Sequence, residues 1–243
     1  MPGAIIYRGP SQLPTAPNTS PAPIVVIAVW STPTRANRKT GNMVQTYILR
    51  ADMSPLDANK TGQDVSICGN CRHRGTPTAD PRKKQAERRT CYVVLGQGPT
   101  IVYKTFLRGG YPDYSGDPAM IRALGLGAMV RIGTYGDGAA APSHVWDNLL
   151  SGAVGHTAYT HNGGDPSKYM ISADSLYEAQ AAWQSKYRTF RVVRDTSEIV
   201  AKQEIECPSA RGVQCIDCGL CAGSTKQAKS IAIVVHGSGA VHF

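Results

Sequence analysis

Apolar residues along this chain fall in short continuous runs rather than long amphipathic repeats. "PIVVIAVW", from Pro23, is apolar throughout and predicts a strand buried on both faces. "NMVQTYILR" follows a turn containing "KTGN" and predicts a second strand. "CYVVLGQGPTIVYKTFL" reads as strand-like and then helical. The second half alternates more regularly. "AMVRIGTYG", "HTAYTH", "YMISA", "YRTFRVVR" and "SIAIVVHG" read as strands. "PSHVWDNLLSGA" reads as a helix started by Pro142 and Ser143, with Val145, Leu149 and Leu150 on one face, and "SLYEAQAAWQSK" as a helix capped by Asp174 or Ser175. Strands and helices alternating at this spacing predict an α/β fold. It is either an incomplete α/β barrel or an open, mostly parallel sheet, carrying cysteine-rich metal-binding loops.

Two stretches break the pattern. Residues 1–23 are rich in Pro and predict an extended arm that adds little to a core. Residues 53–90 are polar, basic and poor in large apolar side chains, and read as an insertion organised around Cys68 and Cys71. The remainder, 24–243, reads as a single α/β domain with that insertion and a C-terminal cluster-binding loop at 206–223. Of the 243 residues 42% are hydrophobic, enough for a substantial core without covalent staples. The first residues lack the charged and apolar regions of a secretory signal, and no apolar run is long enough to span a bilayer. A cytoplasmic setting without membrane contact is expected.

Charge adds a partner to this picture. The formal net charge is +9, and Arg72, Arg74, Arg82, Lys83, Lys84, Arg88 and Arg89 crowd one segment, with Arg35, Arg38 and Lys39 forming a smaller group. Clustered cations of this kind neutralise phosphates, so nucleic acid, DNA or RNA, is the expected partner. A solvated basic loop is the plainer reading.

The seven cysteines add a cofactor. Seven is odd, which rules out complete internal pairing, and a reducing compartment disfavours disulfides. Cys215, Cys218 and Cys221 in "CIDCGLC" are each two residues apart, and Cys207 is followed by Pro208. That spacing lets one loop wrap three corners of a [4Fe–4S] cubane, with the fourth thiolate supplied from elsewhere. "CIDCGLCAG" resembles the cluster-binding loop of bacterial ferredoxins, and Cys207-Pro208 resembles the Cys-Pro of their remote ligand. Here, however, the Cys-Pro precedes the triple, so the resemblance implies a cluster and not a ferredoxin fold. Zinc is the alternative ion, although its loops usually separate two cysteine pairs. The second set is Cys68 and Cys71 in "CGNCRHR" with Cys91 further on. It reads as a structural zinc knuckle completed by His73, or as a second cubane with one iron open. S-adenosylmethionine radical enzymes use such an open iron, but their compact three-cysteine loop is absent here.

Glycine-rich strand ends supply the last candidates. "GTYGDGAAAPSHVW" places Asp137 just past a strand, and "YTHNGGD" does the same for His161 and Asn162. Strand C-termini are where α/β folds carry their chemistry, so Asp137 and His161 are candidate catalytic residues, with Tyr135 and Tyr159 available for stacking bases. The order of "GNMVQTYILR", "CGNC", "GTYGDGAA", "YTH" and the terminal "CIDCGLC" resembles a group of cysteine-rich α/β proteins encoded by bacteriophages and prophages, which carries no assigned reaction. The resemblance implies a phage setting and the host cytoplasm. The expected function is that of an iron–sulfur protein, with one cluster or two, acting on nucleic acid, in its sharper form as a DNA- or RNA-modifying enzyme. A transglycosylase-like base exchange would use Asp137 as nucleophile. The alternative is a non-catalytic zinc-knuckle protein that binds nucleic acid.

Overall fold

The structure is a computed structural model that describes residues 2–13, 21–30 and 37–243. In chain order it opens with strands β1 (Gly3–Pro10), β2 (Pro23–Val29) and β3 (Val44–Arg50). Helices α1 (Pro55–Lys60), α2 (Val65–Cys68), α3 (Gly98–Leu107) and α4 (Pro118–Gly125) follow. Then come β4 (Met129–Tyr135), α5 (Ser143–Leu150), β5 (Gly155–Thr157), β6 (Tyr159–Thr160) and β7 (Met170–Ala173). The chain closes with α6 (Leu176–Gln184), β8 (Thr189–Val193), β9 (Glu204–Glu206), α7 (Cys215–Cys218) and β10 (Ser230–Val234).

These strands make two five-stranded sheets, confirming an α/β architecture. The first has order β1-β2-β3-β4-β5 and is mixed: β1 and β3 both run antiparallel to β2, and β4 and β5 then run parallel to β3. The second has order β6-β7-β8-β10-β9 and is parallel throughout. Only Ala158 separates β5 from β6. Its N–H donates to the Cys221 carbonyl and its carbonyl accepts from Met170 N–H, so one extended stretch leaves the first sheet and enters the second. An apolar run explains β2, whereas β3 also buries Gln45, Thr46 and Arg50. All seven residues of β3 are buried, as are six of the seven in β2.

Two expectations need correction, and two elements were not anticipated. Residues 3–10 are not part of an extended arm. Ala4, Ile5 and Ile6 are buried, and β1 pairs with β2, because "AIIY" carries enough apolar surface to add an edge strand despite the prolines around it. Residues 14–20 of the expected arm lie outside the described residues, as does Arg35 of the smaller basic group. The stretch after Cys91 forms no strand; it is a loop leading into α3, where Pro99 sits in the first turn. Helix α4 and strand β9 lie in segments left unassigned from periodicity. Asp117 marks α4 clearly, since its carboxylate accepts from Ala119 and Met120 N–H with Pro118 at the first helical position. At α6 the cap is Ser175, whose Oγ accepts from Glu178 N–H, and Asp174 is left free to point elsewhere.

Candidate metal and binding cleft

The first cysteine set is built by a short knuckle and a loop that returns to it. Helix α2 ends at Cys68, and Gly69 turns the chain with φ +55°. The Asn162 side chain clamps this turn: its Nδ2 donates to the Cys68 carbonyl and its Oδ1 accepts from Asn70 N–H. Thr76 and Glu87 exchange backbone hydrogen bonds, and Cys91 N–H donates to the His73 carbonyl. These contacts tie the base of the basic loop, so Cys91 returns beside the knuckle. Cys68, Cys71 and Cys91 line one cavity of about 130 Å³. Burial pushes the Cys68 and Cys91 thiols up, and the neighbouring Asp64 charge adds to this at Cys68.

The second set surrounds α7. The loop before β3 anchors it, with Cys215 N–H bonded to the Lys39 carbonyl and Ile216 N–H to that of Thr40. Gly219 ends the helix in the left-handed region, and Arg188 donates to the Leu220 carbonyl. Cys207 follows β9, and its N–H bonds the Ala232 carbonyl of β10. Burial pushes the Cys221 thiol up to about 12; the Tyr159 hydroxyl offsets this slightly, and the charges of Cys207, Cys215 and Cys218 add to it. All seven cysteines are unpaired.

Between the two sets lies a second cavity of about 190 Å³. Cys71 and Cys91 reach it from one side, Cys207 and Cys215 from the other, and Phe190, Val192 and Ile233 floor it from the second sheet. Arg131 of β4 enters this space. A bulge at β4 aims it: Gly133 has φ +74°, and Thr46 Oγ1 fills the gap by accepting from Gly133 N–H and donating to the Arg131 carbonyl. The Arg131 guanidinium is buried between the rings of Tyr92 and Tyr159, each 5.9 Å away, and donates to the Tyr92 hydroxyl. Among the described residues it has no carboxylate partner, and its Nε has no acceptor. Burial works against its charge, but Tyr92, Tyr159, Cys215 and Cys221 outweigh that and raise its pKa.

Asp137 and His161 do share one rim, though not as an acid–base pair. The Asp137 carboxylate is buried and accepts from four donors: Ala139 N–H, Thr160 Oγ1, His161 N–H and Asn162 Nδ2. It is a latch across strand ends, with three of the four donors on Oδ2 and one on Oδ1, and the residue also lines the first cavity. The His161 ring faces Asp174, with Nε2 to Oδ1 at 3.1 Å. His73 Nε2 is 3.5 Å from the same oxygen, so His73 points to Asp174, and it lines the same cavity as Cys71 and Cys91. Burial opposes the charged His161 ring, yet Asp174 and the Cys71 thiol hold its pKa up at about 10. Burial also opposes the Asp174 charge, and the two rings outweigh it, holding that carboxyl well below its usual range. Tyr135 is buried in the core and Tyr159 lines the cavity.

The basic segment divides. Arg72, Arg82, Lys83, Lys84 and Arg88 are exposed. Arg74 and Arg89 turn inward: Arg74 grips the Asp64 carboxylate at 2.6 Å, and Arg89 donates to the Cys91 and Val93 carbonyls. Sequence patterns did not single out Arg131, and they gave Asp174 only a helix cap. Both carried a signal. Arg131 is a lone charge inside an apolar strand, and Asp174 follows β7 as His161 follows β6. No helix among the described residues is long and apolar enough to cross a membrane. No protein-family model matches the chain, and no curated protein or solved structure matches it significantly.

Proposed function

We propose that the chain is an iron–sulfur protein that acts on nucleic acid at the cleft between its two cysteine sets. The observation that carries this is Arg131. A buried guanidinium without a carboxylate is costly, and Cys207 and Cys215 line the same cavity as Arg131. As thiols these are neutral; as metal-bound thiolates they supply the missing negative charge. Cys207, Cys215, Cys218 and Cys221 would hold one closed [4Fe–4S] cluster, suited to structure or electron transfer, and Cys68, Cys71 and Cys91 a second centre. Cysteine spacing along the chain favours a cubane over zinc, since Cys215, Cys218 and Cys221 are each two residues apart whereas zinc loops usually separate two cysteine pairs.

The remaining parts of this reading concern shape and partner. Strands β3, β4, β5 with β6, β7, β8, β10 and β9 follow one another in parallel, consistent with the wall of an incomplete α/β barrel. Exposed Arg72, Arg82, Lys83, Lys84 and Arg88 belong to the loop that carries Cys71 and Cys91, so a polyanion held there lies beside the cleft. Tyr92, Tyr159 and Phe190 offer apolar walls that exclude water and accept a flat ring. A phage-encoded role is part of the same proposal.

The test is anaerobic purification followed by iron, sulfide and zinc analysis, with salt-dependent binding to DNA and RNA. Iron with equimolar sulfide is expected, falling by one cluster in Cys218→Ser. Neutralising Arg82, Lys83, Lys84 and Arg88 should flatten the salt slope by about one unit for each phosphate no longer neutralised. Stoichiometric zinc without sulfide would favour the non-catalytic zinc-knuckle protein instead.

A further inference from the structure

We infer that His73, His161 and Asp174 form a site for one divalent transition-metal ion, distinct from the thiolate centres. Their ligand atoms all lie within 4.8 Å of one another, the one such group among the described residues. Two of the separations are 3.1 and 3.5 Å. Donors at 2.0–2.1 Å from an ion, set between octahedral and tetrahedral angles, stand about 2.9–3.4 Å apart. The two separations to Asp174 therefore already come close to those of donors on one ion, and the two imidazoles lie within 4.8 Å of each other.

The surroundings hold the donors ready. His73 Nδ1 is hydrogen-bonded to Thr90 Oγ1 at 2.7 Å. When an ion takes the place of the proton at Nε2, Nδ1 can still donate to that hydroxyl, the arrangement found in histidines that bind metal. The ring of Phe243 stacks on His73 at 6.0 Å and 11°, which fixes the plane of the imidazole. Asp174 N–H donates to Glu178 Oε2, and its carbonyl accepts from Arg72, so the backbone beneath the carboxylate is fixed as well. His161 and Asp174 both stand one residue past strand ends, at the edge where parallel sheets place ligands.

Two imidazole nitrogens and a carboxylate oxygen directed at one point can share a proton or bind a cation. Three protein donors of this kind suit Zn²⁺ or Fe²⁺ and leave coordination positions open. The site opens on the cavities lined by His161 and His73, so those positions face the cleft. Cys71 stands beside His161 but belongs to the thiolate set.

The experiment uses the full chain, prepared anaerobically with its iron and sulfide counted, and titrated with Zn²⁺ and Co²⁺. One further equivalent of either metal should bind. His161→Gln and Asp174→Asn should each weaken it about 100-fold, and Thr90→Val about tenfold, without changing the iron or sulfide count. The Co²⁺ form should show weak visible bands and no intense sulfur-to-metal charge transfer, a readout on the wild-type chain that does not depend on any variant folding. The proposal is overturned if no further equivalent binds, if Asp174→Asn binds it unchanged, or if sulfur charge transfer accompanies it. Protein that carries no iron would overturn the cluster reading and leave this titration valid, so the two fail separately.

Discussion

Asp137 and Arg131 are both buried charges, satisfied in opposite ways. Asp137 receives four hydrogen bonds from donors on either side of the cleft rim, which fixes the strand ends there. Asp137→Ala would strand those donors in the interior and is expected to cost about 3 kcal/mol in urea unfolding. If stability held and only activity fell, Asp137 would be catalytic after all. Arg131 has the reverse problem, a guanidinium with no carboxylate among the described residues. In metal-free protein Arg131→Met should be neutral or mildly stabilising, because an apolar side chain of similar length replaces an uncompensated charge. In the metal-loaded protein the same change should cost about 2 kcal/mol, since thiolate charge then loses its partner. Unfolding curves with and without chelator measure the difference, and equal effects in both would separate Arg131 from the metal.

At the scale of elements, the knuckle is the piece that joins fold to site. Helix α2 is one turn long and has little stability of its own. Its C-terminal turn persists because Gly69 adopts positive φ and Asn162 reaches across from the end of β6. A Cβ at Gly69 would overlap the Asn162 amide and would also strain the backbone. Gly69→Ala should therefore lower stability by more than about 1 kcal/mol and release Cys68 and Cys71 together. Metal analysis should show loss from the N-terminal set alone. Loss from Cys215, Cys218 and Cys221 as well would mean that the two sets share one centre.

For the whole molecule, the two sheets differ in how they are held. The first rests on a broad core that includes Ile24, Ile27, Leu49, Ile132 and Trp146. The second has a small core of Met170, Cys221 and Ile231, with Cys207 packed against it. Two of its packing residues are thus also the proposed ligands, so metal would contribute directly to that sheet's folding free energy. Trp146 reports the first core, where its Nε1 donates to the Gly138 carbonyl. Trp183 reports the second sheet, donating to Thr189 and Ser230. Fluorescence of single-tryptophan variants should show one transition in loaded protein. After chelation Trp183 should melt at a lower temperature than Trp146. Coincident melting without metal would show that the shared strand couples the sheets fully.

The sequence by itself determined most of the strands, the α/β class and the spacing of the cysteines, because these are local quantities. β2 is visible as an unbroken apolar run, β3 as a strand-like segment after a turn, α6 from a cap at Asp174 or Ser175, and the cysteine spacing from simple counting. It did not determine β1, because pairing with β2 outweighed the prolines around it. Tertiary structure alone decided what the polar residues do. Asp137 became a latch, Arg74 and Arg89 turned inward, and His73 faced Asp174. Each outcome depends on which distant donor or acceptor the fold brings within hydrogen-bonding reach. His73 and Asp174 are one hundred and one positions apart, and only the return of the basic loop to the ends of β6 and β7 places them together. A buried polar group must find a partner, and its partner is set by topology rather than by neighbours along the chain.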